Sequence, residues 1–413
     1  MRNFASKLTG EIGVRLFSTL FIFLLARVLG AERFGLYSTA FAFASLFVIA
    51  IDLGMNAIIT REIARDKPRR DLWLGSANVL KFCSAFLVLI LIHLIGRWSD
   101  FARANQLLVD ALGVVVVAYT LVDYLAALLA GNEEMGWEAF LRTLCRALVA
   151  LAGIAALYAT RSLVPVAVAM GAASIASLLT GGFIVHHRFG VFPMRMDADI
   201  AKKLILSSLP LLGSVVFWTF YDNQDILLLH HFHIADRDIG QYYSASKIID
   251  VLKVFPVLLT GAFFPALARF AAARESFIRT TRALLGYAIL SAPFIFIGVY
   301  AMAPWLEKLL YGPEFVDAAE SLRVLLFAFF PMFLNHICSQ ILITRDHEGR
   351  VLPGAMIACA SNLVLSWMFI PAYGTFGVCY ALVVSETLYL IFQAGLVLQA
   401  VPGLFNPFRR TYG

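Results

Sequence analysis

Residues 217–232 read FWTFYDNQDILLLHHF, a run with the length and apolar weight of a membrane span that nonetheless contains Asp222, Asn223, Gln224 and Asp225. Which solvent surrounds this run decides the fold. Of the 413 residues, 61% are hydrophobic and 15% charged, against roughly 45–50% and about 25% in ordinary soluble domains. That composition places the chain in lipid. Hydrocarbon offers no partner to backbone N–H and C=O groups, so a spanning segment satisfies them internally as a helix of about 20 apolar residues. Runs of that kind recur along the whole sequence, and no gap between them is long enough to fold as a soluble domain. The fold class is therefore an all-α polytopic membrane protein. The first ten residues are polar and basic and no small-residue cleavage site follows, so the first span is expected to be retained. Five scattered cysteines, Cys83, Cys145, Cys338, Cys359 and Cys379, form neither a disulfide framework nor a metal-ligand spacing.

Hydropathy places about twelve spans, at 12–29, 34–57, 72–95, 107–130, 139–159, 163–185, 204–229, 240–264, 283–303, 322–343, 352–370 and 376–400. Lysine and arginine collect in alternate gaps. One set holds Arg2, Lys7, Arg61, Arg65, Lys67, Arg69, Arg70, Arg142, Arg146, Arg188, Arg195, Lys202, Lys203, Arg269, Arg274, Arg279, Arg282, Arg345, Arg350, Arg409 and Arg410. The other holds a third as many: Arg27, Arg33, Arg97, Arg103, Arg161, Arg237 and Lys308. Cytoplasmic loops retain positive charge, so the richer set is expected in the cytoplasm together with both termini, in a cell inner membrane. The net charge of +6 is then a matter of topology. Its dispersal over many short loops gives no patch for a nucleic acid.

Five cations remain within or at the edge of spans: Arg15, Lys81, Lys247, Lys253 and Arg323. A charge inside the bilayer costs several kcal/mol unless it meets water or a partner, which makes each a functional candidate. Snorkelling to the nearer interface also accounts for Lys81 and Arg323, and an i,i+4 pair with Glu11 accounts for Arg15. Lys247, Asp250 and Lys253 are spaced by three and share one helix face, where they either line a polar cavity or neutralise one another. Asp52, Asp123 and Glu386 are further intramembrane carboxylates. His230–His233, HHFH, reads as an interfacial anchor more readily than as a metal site.

The chain also repeats itself. LGAERFGLYSTA (29–40) and IADRDIGQYYSA (234–245) align without gaps, pairing Gly35 with Gly240, Tyr37 with Tyr242 and Ala40 with Ala245. Each joins an odd-numbered span to the next, six spans apart. An even displacement gives two copies of the same orientation, related by a pseudo-two-fold axis along the membrane normal. The expected organisation is an N-lobe at 1–190, a cytoplasmic linker at 191–203 and a C-lobe at 204–413, each lobe with six helices.

LARVLGAERFGLYS (25–38) with DLGMNAIITREIAR (52–65), SSLPLLGSVVFWTFYDNQDILLL (207–229) with IGQYYSASKII (239–249) and PALAR (265–269), LYGPEFVDAAESLRVLL (310–326), and NLVLSWMFIPAYGTFGVCYALVVSE (362–386) resemble, in this order, the polysaccharide transporters. These are the lipid-linked oligosaccharide flippases of the multidrug/oligosaccharidyl-lipid/polysaccharide exporter superfamily. The sequence departs from the family pattern at Leu229–His230 and at Ser366. The resemblance implies alternating access through a cavity lined by spans one, two, seven and eight. Its substrate would be an oligosaccharide on a polyprenyl pyrophosphate, whose tail stays in membrane lipid. Arg15, Lys81, Lys247 and Lys253 would meet the pyrophosphate, and Asn56, Asn223 and Gln224 the sugars. Asp225, which matches a recurring family aspartate, and Asp222, Asp250 and Asp52 are candidates for a coupling cation or proton. A polysaccharide polymerase and glycosyltransferases of the same route are candidate partners, and neither a metal nor another cofactor is implied. Two alternatives stand beside this reading. One is a drug/cation antiporter of the same superfamily. The other is a membrane polymerase or ligase, against which speak the short outer loops and the lack of nucleophile, metal-ligand or phosphate-loop motifs.

Reporter fusions after Arg70, near Lys202 and at the carboxyl terminus should register as cytoplasmic, and fusions near Arg103 and Arg237 as external. An external carboxyl terminus would overturn both the span count and the parallel duplication.

Overall fold

Apolar helices dominate the computed structural model, which describes residues 2–65, 70–190, 193–271, 273–345, 349 and 351–404. For residues 2–9, 11, 12, 70, 210, 214 and 351 it describes the backbone alone. Lys67, Arg69, Arg350, Arg409 and Arg410 of the cation-rich set lie outside the described residues, as do the side chains of Arg2, Lys7, Glu11 and Arg70. The helices are α1 (Arg2–Leu46), α2 (Val48–Asp52), α3 (Met55–Arg65), α4 (Arg70–Gly96), α5 (Asp100–Ala104), α6 (Gln106–Gly131), α7 (Met135–Thr160), α8 (Leu163–Phe189), α9 (Ala198–His231), α10 (Asp236–Leu252), α11 (Val254–Phe270), α12 (Arg274–Leu310), α13 (Ala318–Thr344), α14 (Val351–Tyr373) and α15 (Thr375–Ala400), with a 3-10 turn at Pro313–Phe315. No strand occurs among the described residues.

Among the described residues, ten helical stretches are long and apolar enough to cross a membrane, and an eleventh is the bent pair Ala198–Leu209 and Leu211–His231. That pair turns by 55° between Leu209 and Leu211. The first of the ten, Gly13–Arg65, has 53 residues, about 80 Å of helix at roughly 1.5 Å per residue. It is not one rod. Gly30 breaks it with φ 80° and ψ 173°, a backbone open to glycine alone at low cost. Leu53, in the left-handed region at φ 47°, ends α2 just after Asp52. The segment expected as one span at 240–264 lies in one candidate span, Asp236–Phe270, in which α10 gives way to α11 at Lys253 because Pro256 lacks the N–H that would bond back across it.

The chain divides into two compact units, Met1–Asn223 and Gln224–Gly413, with the division inside α9. In the first unit α6 is the central helix and packs against α1, α3, α4, α7 and α8, while α1 also lies along α7. In the second unit α13 packs against α10, α11, α12 and α15, and α14 lies along α15. The two central helices are the fourth and tenth spans of the hydropathy reading, six apart like the repeated motif. The motif packs alike in both copies: Phe34 and Ile239, Tyr37 and Tyr242, and Ala40 and Ala245 are all buried. Its two breaks coincide as well, Gly30 aligning with Ala235, the extended residue that precedes α10.

Segment 193–197 is tied to α4. Asn78 Nδ2 donates to the Pro193 carbonyl at 2.8 Å, and the Ser76 hydroxyl accepts from the Asp197 amide at 3.0 Å. Lys203 lies over the Trp73 ring at 5.0 Å.

At the α14–α15 turn Gly377 abuts the backbone of Phe369, whose carbonyl carbon would lie 2.6 Å from an added Cβ. Gly377→Ala should therefore destabilise the protein by about 1–3 kcal/mol, read as a lower melting temperature in detergent. Gly286→Ala, at an open helical position, should leave it unchanged or slightly raised. Equal melting of the two variants would contradict this packing.

Candidate functional site

Helix α9 explains how an apolar span accommodates DNQD. Successive helical residues point about 100° apart, so each of the four has its own surroundings. Asp222 is exposed. Asn223 spends its amide on the Thr219 carbonyl one turn back, at 2.8 Å. Gln224 is buried and its Nε2 donates to Asn362 Oδ1 of α14 at 2.6 Å. The Tyr242 hydroxyl of α10 donates to Asp225 Oδ2 at 2.8 Å. Ser366 lies one turn beyond Asn362 and is also buried. Among the described residues, Gln224 Oε1, Asn362 Nδ2 and Ser366 Oγ have no hydrogen-bond partner. Each such group costs about 1–3 kcal/mol if left unmet, so this corner of the second unit has polar capacity to spare.

On α10, Asp250 lies between two lysines: Lys247 Nζ donates to its Oδ2 at 2.7 Å and Lys253 Nζ to its Oδ1 at 2.8 Å. One carboxylate offsets one ammonium, leaving the triad with a formal charge of +1. None of its members is sealed off, with side chains 31–42% exposed. Lys247 also sits over the Tyr243 ring at 4.8 Å. Lys253 keeps helical φ and ψ, so its ammonium reaches Asp250 as an i,i+3 neighbour.

The first unit treats its charges differently. Lys81 of α4 is 0% exposed and its ammonium meets Asp52 Oδ1 at 2.9 Å and the Asp52 carbonyl at 3.2 Å. Tyr124 of α6 presents its ring to the same ammonium at 5.7 Å, and its hydroxyl donates to Asn78 Oδ1 at 2.5 Å. Lys81, named from sequence as a ligand for pyrophosphate, is thus buried in an internal pair. Arg15 is exposed, and Asn56 Oδ1 is buried without a partner. The structure brings together Asp52 with Lys81 and Lys247 with Asp250 and Lys253. It does not join Arg15, Asn56 or Asn223 to another candidate.

Some polar groups escaped the sequence reading. Asn335 of α13 donates to Glu386 Oε2 of α15 at 2.7 Å, and Gln393, two turns further along α15, donates to Ser339 at 2.8 Å. Asn335 and Ser339 lie one turn apart on α13, and Glu386 and Gln393 two turns apart on α15, so each pair shares a helix face. Glu307 of α12 is fully buried, with neither carboxyl oxygen hydrogen-bonded among the described residues. It lies beyond the span placed at 283–303, in the gap that holds Lys308. Asp123 faces Arg142 at 3.5 Å and Arg323 pairs with Glu320 at 2.8 Å. His231 and Phe232 of the HHFH run pack on Trp367, with centroids 5.2 and 5.0 Å apart.

Comparison with known proteins follows the same line. The family profile described as polysaccharide biosynthesis protein matches residues 1–271. No curated protein matches the sequence. Among solved structures, the chain resembles an inward-facing multidrug resistance MATE family transporter of the MOP superfamily, with TM-score 0.77 at 13% identity over 95% of both chains. It resembles the lipid II flippase MurJ in its inward closed conformation, with TM-score 0.69 at 13% identity over 96% of this chain and 89% of that one. A MOP superfamily transporter from Pyrococcus furiosus gives TM-score 0.65 at 15% identity, over 97% and 94%. At such identities the likeness is one of fold.

The Asp52–Lys81 pair makes an asymmetric prediction. Asp52→Asn strands an ammonium with no exposure and should cost about 3–5 kcal/mol. Lys81→Met leaves a carboxylate that is 20% exposed and should cost less, while the double variant should recover most of the loss. Thermal melts of the three in detergent check the order. A double variant no more stable than Asp52→Asn would show that the pair is not the source.

Proposed function

The chain belongs to the polysaccharide biosynthesis protein family, and on that premise we propose that it is a flippase that moves a polyprenyl-pyrophosphate-linked oligosaccharide from the cytoplasmic to the outer face of the inner membrane by alternating access. The observation that carries the reading to this chain is the cluster of two lysines and one aspartate at α10. Two half-exposed lysines share one carboxylate, an arrangement suited to a diphosphate and unsuited to a cationic drug. Likeness to a MATE transporter does not favour the drug antiporter, since the flippase MurJ shares the fold. Splitting Gly13–Arg65 at Gly30 supports twelve spans. The six-span offset between the central helices supports two six-helix lobes, assigned to 1–190 and 204–413 around the linker 191–203 although the compact units divide within α9, and the cation distribution assigns both termini to the cytoplasm.

Lys247 and Lys253 are assigned to the pyrophosphate. Asn223 and Gln224 are assigned to sugar hydroxyls, and Asp225 to a coupling cation or proton. Arg15 and Asn56 remain substrate candidates of the first unit, whereas the sealed Lys81–Asp52 pair is assigned a structural role. No covalent step on the substrate is needed, so the protein is not an enzyme in this reading. The glycosyltransferases that build the oligosaccharide and the polymerase that consumes it are its expected partners.

Loss of the gene should leave lipid-linked oligosaccharide on the cytoplasmic side while glycosyltransferase activity in membrane extracts persists. Loss of the transferase or polymerase step itself, with translocation intact, would favour the enzyme reading. Lys247→Gln and Lys253→Gln each keep one lysine on Asp250, so abundance should hold while transport falls at least about tenfold, the equivalent of roughly 1.4 kcal/mol. The neutral triple variant Lys247→Gln/Asp250→Asn/Lys253→Gln should be abundant and inactive. Wild-type transport by that variant would reduce the triad to a structural ion pair.

A further inference from the structure

A cavity of about 560 Å³ opens in the first unit away from the Asp52–Lys81 pair, where the α1 segment after Gly30 meets the α5–α6 and α7–α8 turns. Its polar wall contains Arg33, Asn105, Gln106, Thr160, Arg161 and Ser162, with no carboxylate among the described residues that line it. Two of the seven cations on the arginine-poor face thus line one cavity. Neither Arg33 nor Arg161 forms an ion pair among the described residues. Arg33 Nη1 donates to the Arg161 carbonyl at 2.8 Å, which fixes the two residues beside each other and leaves most of the five guanidinium donors of each for another acceptor.

Two long helices also begin in this wall. Asn105 and Ser162 precede α6 and α8, and neither side chain caps the helix that follows. Asn105 bonds back to the Phe101 carbonyl instead. First-turn amides and the positive ends of α6 and α8 add to the two guanidinium groups in favouring an anion, and the carbonyl end of α7 at Thr160 and Arg161 offsets part of that field. The rest of the wall is apolar, with Leu36, Leu107 and Val164, and Leu107 is 62% exposed. Because three candidate spans end or begin here, at Thr160, Gln106 and Leu163, the cavity lies at the depth of lipid headgroups, with leucine reaching toward the acyl chains.

We propose that this cavity is a binding site for the phosphate headgroup of a lipid, held by Arg33, Arg161 and the first turns of α6 and α8, and distinct from the α10 triad. Its placement in the outer leaflet rests on the orientation read from the cation distribution; the binding itself does not. An anionic phospholipid and a polyprenyl phosphate share the recognised chemistry, a phosphate oxyanion on an apolar chain.

The test is native mass spectrometry of the full detergent-solubilised chain titrated with phosphatidylglycerol, polyprenyl phosphate, phosphatidylcholine and inorganic phosphate. The wild type should bind phosphatidylglycerol or polyprenyl phosphate at least tenfold more tightly than phosphatidylcholine, and the tighter of the two identifies the source. Arg33→Gln/Arg161→Gln should lose that preference, and Arg97→Gln, altered on the same face outside the cavity, should keep it. Should the double variant melt at a lower temperature, Arg161→Gln alone spares the Arg33 hydrogen bond and should still weaken binding severalfold, with Arg161→Lys restoring part of it. Unchanged affinity in these variants, or binding of inorganic phosphate with no preference for either anionic lipid, overturns the proposal. Neither result depends on transport, so this site and the flippase reading fail separately.

Discussion

A polar group that enters hydrocarbon must bring its partner with it, and most of this structure is an answer to that demand. The backbone meets it by coiling into helices, and the breaks fall where glycine or proline prevents the ladder from closing. Side chains meet it in pairs across helix contacts: Asp52 with Lys81, Asn78 with Tyr124, Gln224 with Asn362, Asp225 with Tyr242, and Asn335 with Glu386. Each is bonded within its own unit. Such pairs fix which helices neighbour one another, a task that apolar contact alone does poorly when the solvent is equally apolar.

The same demand separates two kinds of charge. Asp52 and Lys81 meet one to one, with the lysine fully enclosed, so the pair presents little charge to anything outside it. On α10 the count is two to one and all three side chains remain partly open. A sealed, balanced pair stabilises a fold, while an open, unbalanced one attracts a counter-ion. The candidates for substrate contact therefore concentrate on α10, although both lysine groups look alike in sequence.

Composition and hydropathy made the helical membrane fold legible, and the match of Tyr37 and Ala40 with Tyr242 and Ala245 made the internal repeat visible before their burial was known. Helix breaks inside spans were harder to read. Pro256 lay within an apolar run, and only the structure shows that it divides α10 from α11 beside Lys253. Spacing by three did reveal that Lys247, Asp250 and Lys253 share a face, because i,i+3 contacts are local. The partner of Lys81 was hidden because it depends on how one helix packs on another. Glu307 was missed for a different reason: it lies beyond the span placed at 283–303, while the helix continues and buries the carboxyl.

The pairs also differ in how far apart their members lie along the chain, and this has a consequence for biogenesis. Asp52 and Lys81 are separated by 29 residues, so the acid and base emerge from the ribosome almost together. Gln224 and Asn362 are separated by 138. At about 5–20 residues per second, the glutamine side chain waits roughly 7–28 seconds for its amide partner to be synthesised. Throughout that interval the seventh span must keep an unmet amide out of lipid, either against water in the insertion machinery or against an earlier helix of the same chain. The second unit is thus the slower of the two to become independent of its surroundings, and its early helices depend on a neighbour that has yet to be made.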